Sequence, residues 1–125
     1  MTCLLDSQVV LWLLVEPSKL RTETLQILKD AATDRVISVA SFWELEIKRS
    51  KGKLKYDLNF AEVLRDFAAT ELPVTSKHVQ ALRHLPQLHN DPFDRMLIAQ
   101  AISEGLTLVT SDGIIQSYPV SILKA

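Results

Sequence analysis

Four acidic residues in this 125-residue chain are spaced and flanked in a way that suits a divalent-cation site. Asp6 closes the apolar run 3–5, and Asp112 closes the run 106–111. Each run is typical of a buried strand, and in an open parallel sheet ligands bind beyond the carboxyl ends of the strands. Two carboxylates brought together there repel each other. A hard divalent cation, which prefers oxygen ligands, would relieve that repulsion.

Two further acidic residues, Glu44 and Asp94, fall in the first turns of predicted helices, so their side chains start near the same edge. Three of the four also have a structural explanation. Ser41-x-x-Glu44 matches a capping box, and Asp94 can complement a helix dipole. Asp112 stands before a glycine and fits a turn. Asp6 has no such explanation, because an aspartate that closes an apolar strand gains nothing structural. The four together therefore favour a metal site more than any one does alone.

The elements that must position these residues alternate between strand and helix. Apolar runs predict strands at 2–5, 35–39, 72–74, 106–109 and 120–123. Helical spacing and capping residues predict helices at 7–15, 23–32 (with Thr22 as N-cap), 41–50, 58–70, 75–85 and 91–104, with a short turn or helix at 113–117. This alternation predicts an α/β fold, a three-layer α/β/α sandwich around a mostly parallel central sheet, as one domain over residues 1–125.

Composition sets broad limits on location and partners. The hydrophobic and charged fractions, 47% and 23%, are ordinary for a globular domain, and the net charge of -1 means that any basic surface must be local. Cys3 is the only cysteine, which fits a reducing cytoplasm. The apolar run 9–15 lacks the basic start of a signal peptide and is too short to span a bilayer. We therefore expect a cytoplasmic protein with no membrane partner.

The acidic residues and their flanking sequences resemble the PIN-domain ribonucleases of the VapC toxin type, which belong to bacterial toxin–antitoxin pairs. The resemblance covers essentially the whole chain. It is carried by Leu-Leu-Asp-Ser at 4–7, Ile-Ser-Val-Ala-Ser-Phe-Trp-Glu-Leu at 37–45, and Leu-Val-Thr-Ser-Asp at 108–112. The most specific stretch is Asp-Pro-Phe-Asp-Arg-Met-Leu-Ile-Ala-Gln-Ala at 91–101. Gln8 departs from this subgroup, which often has His there, and Asn90 stands where a basic residue is common.

The resemblance implies a fold, an activity and a set of site residues. The fold would be PIN-like, and the activity would be hydrolysis of single-stranded RNA that depends on Mg2+ or Mn2+. The catalytic residues and metal ligands would be Asp6, Glu44, Asp94 and Asp112. Around them, the hydroxyls of Ser7 and Thr110 could hydrogen-bond the carboxylates or the phosphate, although a helix cap and a strand-end turn explain these hydroxyls equally well. Asp91 is expected at the rim as a helix N-cap.

A carboxylate-rich cleft needs nearby basic residues to bind RNA. Lys48, Arg49 and Lys51 follow the Glu44 helix closely and are one candidate, and Arg95 beside Asp94 is another. A solvated helix end explains the first three equally well, because cations favour a helix C-terminus. His78, His84 and His89 show no metal-ligand spacing with the acidic residues. We predict that these histidines are surface or packing residues.

The resemblance also implies partners: a homodimer of this chain and a small VapB-like antitoxin. Residues 9–15 of the helix predicted at 7–15 carry Trp12 among aliphatic residues, so both faces of this helix should be covered, either by the domain itself or by another chain. Two other functions remain open. One is a catalytically inactive PIN-like module that binds RNA or protein, which the intact acidic quartet argues against. The other is a phosphoryl-accepting domain, but no aspartate ends the strand 35–39 to act as the acceptor.

Overall fold

The computed structural model describes residues 1–125. Five strands form one parallel sheet: β1 (Thr2–Leu5), β2 (Asp34–Ser38), β3 (Ala69–Leu72), β4 (Thr107–Thr110) and β5 (Ile122–Lys124). The helices are α1 (Ser7–Val15), α2 (Thr22–Lys29), α3 (Val39–Ser50), α4 (Phe60–Asp66), α5 (Ser76–Ala81) and α6 (Pro92–Glu104). Short 3-10 turns lie at Pro17–Lys19, Leu82–His84 and Ile115–Ser117. This confirms the predicted α/β fold with a parallel central sheet.

The strand order is β3-β2-β1-β4-β5, which places β1 at the centre. The chain runs outward from β1 through β2 to β3 and then crosses back to β4 on the other side of β1. The order therefore reverses between β1 and β4, the kind of switch point where parallel sheets bind ligands. Asp6 follows β1 and Asp112 follows β4, so the topology brings both aspartates to this point.

The core lies on both faces of the sheet, which gives the three layers. In β1, Cys3 and Leu5 pack into one cluster, while Leu4 packs into the other, as the two-residue repeat of a strand requires. The first cluster draws its helical residues from α1, α2, α3 and α4, and the second draws them from α6 and the turns near it. Central strands that are buried on both faces read as continuous apolar runs. For this reason β1 and β4 could be predicted from the sequence.

Several predicted boundaries were wrong. The helix predicted at 58–70 ends at Asp66, and residues 69–72 form β3, earlier than the strand predicted at 72–74. The helix α2 begins at Thr22 instead of being capped by it, and it ends at Lys29. At the start of α3 the side chain of Ser38 accepts a hydrogen bond from the Ala40 N–H, so Ser38 is the N-cap. The capping box that we considered for Ser41 and Glu44 is therefore not formed.

None of the helices is both long and apolar enough to cross a membrane. The domain itself covers the first helix, α1, only in part, which leaves the other expected cover, a second chain, as a prediction. Residues 11–14 are only partly buried, and the Val15 side chain is 44% exposed. A second apolar surface lies elsewhere, in a groove of about 360 Å³ between α3 and α6. The Trp43 side chain, 62% exposed, lines this groove and meets Phe93 edge to face.

Candidate metal centre

The carboxylate of Asp6 lies at the amino end of α1, almost completely buried. Its Oδ1 accepts a hydrogen bond of 2.8 Å from the Val9 N–H, so Asp6 is the N-cap of α1. This corrects the view that Asp6 has no structural role. Burial raises its pKa to about 6, and the charges of Glu44 and Asp112 add to the rise, although the hydrogen bonds from Thr110 and Val9 oppose it. A carboxyl with such a pKa is one whose negative charge the fold poorly compensates.

Glu44 points from the second turn of α3 toward the start of α1. Its Oε1 accepts a hydrogen bond of 2.6 Å from the Ser7 hydroxyl, although the two residues are 37 positions apart in the sequence. The bond holds the Glu44 carboxylate beside Asp6, and Ser7 itself is buried. Of the two explanations for Ser7, the contact with a carboxylate is therefore the one the structure shows.

Asp94 occupies the first turn of α6, which Asp91 caps as predicted. The Asp91 Oδ1 accepts hydrogen bonds from the N–H groups of Phe93 and Asp94, at 2.9 and 3.1 Å. Burial raises the pKa of Asp94 to about 7, and the charges of Asp91, Glu44 and Asp112 raise it further against the hydrogen bond from His89. Asp94 and Asp6 are thus the two carboxyls whose charge is least compensated.

Asp112 follows β4, where its carboxylate both closes a turn and contacts the acidic cluster. Its Oδ1 accepts a 2.8 Å hydrogen bond from the Ile114 N–H, while its own N–H donates to the Thr110 hydroxyl at 3.1 Å. The other carboxylate oxygen, Oδ2, faces His89 at 3.2 Å. The structure thus brings Asp6, Glu44, Asp94 and Asp112 to one edge of the sheet. Their role as metal ligands stays a prediction.

His89 is the residue of this cluster that the sequence analysis missed. Its Nε2 lies 2.8 Å from Asp94 Oδ2 and 3.2 Å from Asp112 Oδ2, so the imidazole bridges two of the carboxylates. Desolvation is the largest influence on the pKa of His89 and lowers it, but the hydrogen bonds and charges of the two aspartates together raise it. The prediction of a surface or packing role for His89 is wrong. His78, by contrast, is buried at the start of α5 and bonds Glu104 at 3.0 Å.

The four candidate basic residues differ in whether their side chains are already engaged in other contacts. Arg49 pairs with Glu46 at 2.6 Å on the surface of α3. The guanidinium of Arg95 donates to the carbonyls of Pro86 and Leu82 and to the Tyr118 hydroxyl, at 3.0, 3.4 and 3.2 Å. The contacts of Arg95 therefore hold the loop that precedes α6.

Lys48 lies on the Glu44 face of α3, one turn further along, and Lys51 follows at the end of the helix in the same direction. These two lysines are the better-placed candidates for contact with a phosphate backbone. RNA binding by any of the four basic residues stays a prediction.

A parallel α/β sheet whose switch point gathers four carboxylates and an imidazole is an arrangement that could hold a cation at that edge. The family model described as the PIN domain matches residues 3–120. The chain belongs to the PIN-domain family. The recognition of this family from the sequence is confirmed.

Individual relatives agree in sequence and in fold. Ribonuclease VapC22 from Mycobacterium tuberculosis (strain ATCC 25618 / H37Rv) is 29% identical over 120 residues, which cover 94% of this chain and 92% of that protein. The crystal structure of VapBC2 from Rickettsia felis, bound to a promoter DNA fragment, contains a similar chain with a TM-score of 0.74. A DNA-bound VapBC from Salmonella typhimurium gives 0.68. Both structures are 18% identical and match over 99% of this chain and 98% of theirs, a likeness that concerns the fold.

Proposed function

We propose that this chain is an endoribonuclease that cleaves single-stranded RNA with Mg2+ or Mn2+ and acts as the toxin of a toxin–antitoxin pair. The observation that carries the proposal is the set of four carboxylates gathered at the switch point of a PIN domain. Two of them, Asp6 and Asp94, have pKa values of about 6 and 7, because burial and like charges oppose their ionisation. A divalent cation is the natural counter-charge for such a group of oxygen ligands.

Each residue of the site has a part in this proposal. Asp6, Glu44, Asp94 and Asp112 would hold one or two ions, directly or through water. When bound, such ions lower the pKa of a coordinated water and stabilise the charge that develops on the phosphate. The hydroxyls of Ser7 and Thr110, together with Asp91, fix the positions of these carboxylates or of the helix that carries them.

The RNA would approach along α3. Lys48 and Lys51 extend from the metal centre down that helix, so a phosphate backbone laid beside them would reach the carboxylates with part of its charge compensated. Arg49 would add to this path only if it left Glu46, and Arg95 only if it loosened the loop that it now holds. We therefore assign the main phosphate contacts to the two lysines.

The proposed partners are an antitoxin and a second copy of this chain. Two structural neighbours are VapBC complexes, and the sequence relative is a VapC ribonuclease. On this chain, two apolar surfaces are available to a partner: the outer end of α1, and the groove that Trp43 lines. A basic antitoxin side chain that reached the carboxylates would pair with them and compete with the cation.

The test is cleavage of a single-stranded RNA with added Mn2+ or Mg2+ and with EDTA. We expect cleavage that requires the cation and is lost in Asp6→Asn and Glu44→Gln, which keep the shape of each side chain. Asp34→Asn is the matched control, because Asp34 is exposed and begins β2, at the opposite edge of the sheet from the acidic residues. Cleavage that persists in EDTA or in Asp6→Asn would refute the assignment. RNA binding without cleavage would indicate the inactive module instead.

A further inference from the structure

We propose that His89 is a ligand of the cation held by Asp94 and Asp112, so that the centre has one nitrogen donor among its oxygens and favours Mn2+ over Mg2+. The inference rests on the proposed metal-dependent function but concerns only the binding of the ion. It assigns a role to a side chain that the acidic motifs do not include.

The distances around His89 suit a shared ion. One ligand atom each from His89, Asp94 and Asp112 lies within 4.8 Å of the other two. An ion about 2.1 Å from each of two ligand atoms, at tetrahedral or octahedral angles, holds those atoms about 3.0–3.4 Å apart. The imidazole Nε2 now lies 2.8 and 3.2 Å from the two carboxylate oxygens. A small opening of the three side chains would therefore admit the ion between them.

The loop that carries His89 is held in place by its backbone. The buried Tyr118 hydroxyl accepts hydrogen bonds from the N–H groups of Leu88 and His89, at 3.2 and 2.9 Å. The Arg95 guanidinium bonds the same hydroxyl and the Pro86 carbonyl. These contacts hold the backbone from which the imidazole projects. Ligands whose orientation is fixed by such outer contacts bind metal more tightly than free ones.

The donor set then decides which ion is preferred. Mn2+ is the weakest-binding ion of the divalent transition-metal series but accepts an imidazole nitrogen among oxygen ligands, whereas Mg2+ is held by oxygen donors and keeps several waters. A centre made of carboxylates alone would discriminate only weakly between Mn2+ and Mg2+. To act as a ligand, Nε2 would release to solvent the proton that it now shares with the two carboxylates, which leaves the remaining imidazole proton on Nδ1. With this nitrogen donor the centre would bind Mn2+ more tightly. Loss of the imidazole should therefore weaken Mn2+ binding more than Mg2+ binding.

The test measures ion binding without RNA. Calorimetric titration of the wild-type protein and of His89→Gln should show that the dissociation constant for Mn2+ rises about tenfold or more in the variant, and that the constant for Mg2+ rises less than about threefold. His84→Gln is the matched control, since His84 is an exposed histidine outside the cluster. It should leave both constants unchanged.

A second measurement does not depend on the variant. The electron spin echo of the Mn2+-loaded wild-type protein should show modulation from a directly bound nitrogen, and labelling histidine with 15N should change that modulation. Unchanged or tighter Mn2+ binding in His89→Gln would overturn the inference, because His89 would then only occupy the place of the cation. Absence of the nitrogen signal, or no Mn2+ binding at millimolar concentration, would overturn it as well.

The two proposals can fail separately. If the protein binds Mn2+ through nitrogen but cleaves no RNA, the proposed activity is refuted and His89 remains a ligand. If RNA cleavage needs Mn2+ but the nitrogen signal is absent, only the proposed role of His89 is refuted.

Discussion

The substitution Asp6→Asn should stabilise the metal-free protein at neutral and alkaline pH. Asp6 is only 6% exposed, and its pKa rises from 3.8 to about 6 because burial disfavours the charged form. One pKa unit corresponds to about 1.4 kcal/mol, so ionised Asp6 costs the folded protein up to about 3 kcal/mol. Asparagine carries no charge, and it caps a helix about as well as aspartate, so the hydrogen bond from the Val9 N–H should survive.

The pH dependence follows from the direction of the shift. The folded state binds the Asp6 proton more tightly than the unfolded state does, so the wild-type protein loses stability as the pH rises from about 4 to about 6. Above that range the full cost is present, and below it the cost disappears. The advantage of Asp6→Asn should therefore be largest at pH 8 and should fall to about one third of that value at pH 4.5.

Thermal unfolding in EDTA measures this directly. At pH 8 we expect a gain of about 1–3 kcal/mol in the free energy of unfolding, which for a domain of this size raises Tm by about 3 °C or more. Asp57→Asn, at an exposed position, should change stability by less than about 0.5 kcal/mol. A variant that is no more stable than the wild type at pH 8, or whose gain is equal at pH 4.5, would refute the reasoning about buried charge.

Two other predictions test the surroundings of the centre. Asp91→Asn should retain most RNA cleavage, because asparagine still accepts the hydrogen bonds from the start of α6; a loss comparable to that of Asp6→Asn would make Asp91 a ligand instead of a cap. Light scattering at micromolar concentration should report a dimer that Trp43→Glu converts to monomer, because tryptophan in an apolar groove is a common energetic centre of an interface. Ile102→Glu, at an exposed apolar position on α6 that does not line the groove, should remain dimeric, and a monomeric wild type would contradict the prediction.

Much of the fold was predictable because its central elements depend on local signals. The strand β1 is a continuous apolar run, and α6 is bounded by Asp91-Pro92 at its start and by Gly105, at φ 67°, at its end. Such caps act within a few residues and are visible in any sequence. The topology then carries residues at the carboxyl ends of β1 and β4 to the same place, which is why the acidic residues could be placed together.

The parts that could not be predicted depend on contacts between distant segments. Helical spacing continues past Asp66, but the chain turns at Ala68, at φ 49°, and residues 69–72 pair with β2 at the edge of the sheet. Pairing with β2 overrides the local preference of these residues for a helix. The edge strand is exposed and therefore lacks the alternation of apolar residues from which a strand is predicted. Likewise, the bond between Ser7 and Glu44 joins residues that only the fold brings together.

His89 was missed for the same reason. Its spacing to Asp94, five residues further along, matches no metal-ligand motif, and its position depends on Tyr118, 29 residues further along, and on Arg95 in the following helix. Arg95 lies beside Asp94, which favoured a role in binding RNA. Its contacts instead hold the loop that points His89 toward the carboxylates. The family motifs therefore identified the acidic candidates, whereas the imidazole beside them could be found only from the structure.

The acidic centre also shows how structural and chemical roles are joined in this fold. Asp6 caps α1 and Asp112 closes a turn, each with one carboxylate oxygen, Oδ1. In Asp112 the second oxygen, Oδ2, is directed at His89. The backbone thus fixes the carboxylates in position even when their charges repel. Without a cation the arrangement costs stability, as the raised pKa values of Asp6 and Asp94 indicate. An ion that binds only the folded protein would offset that cost and increase the free energy of unfolding, so cation binding and folding should be coupled.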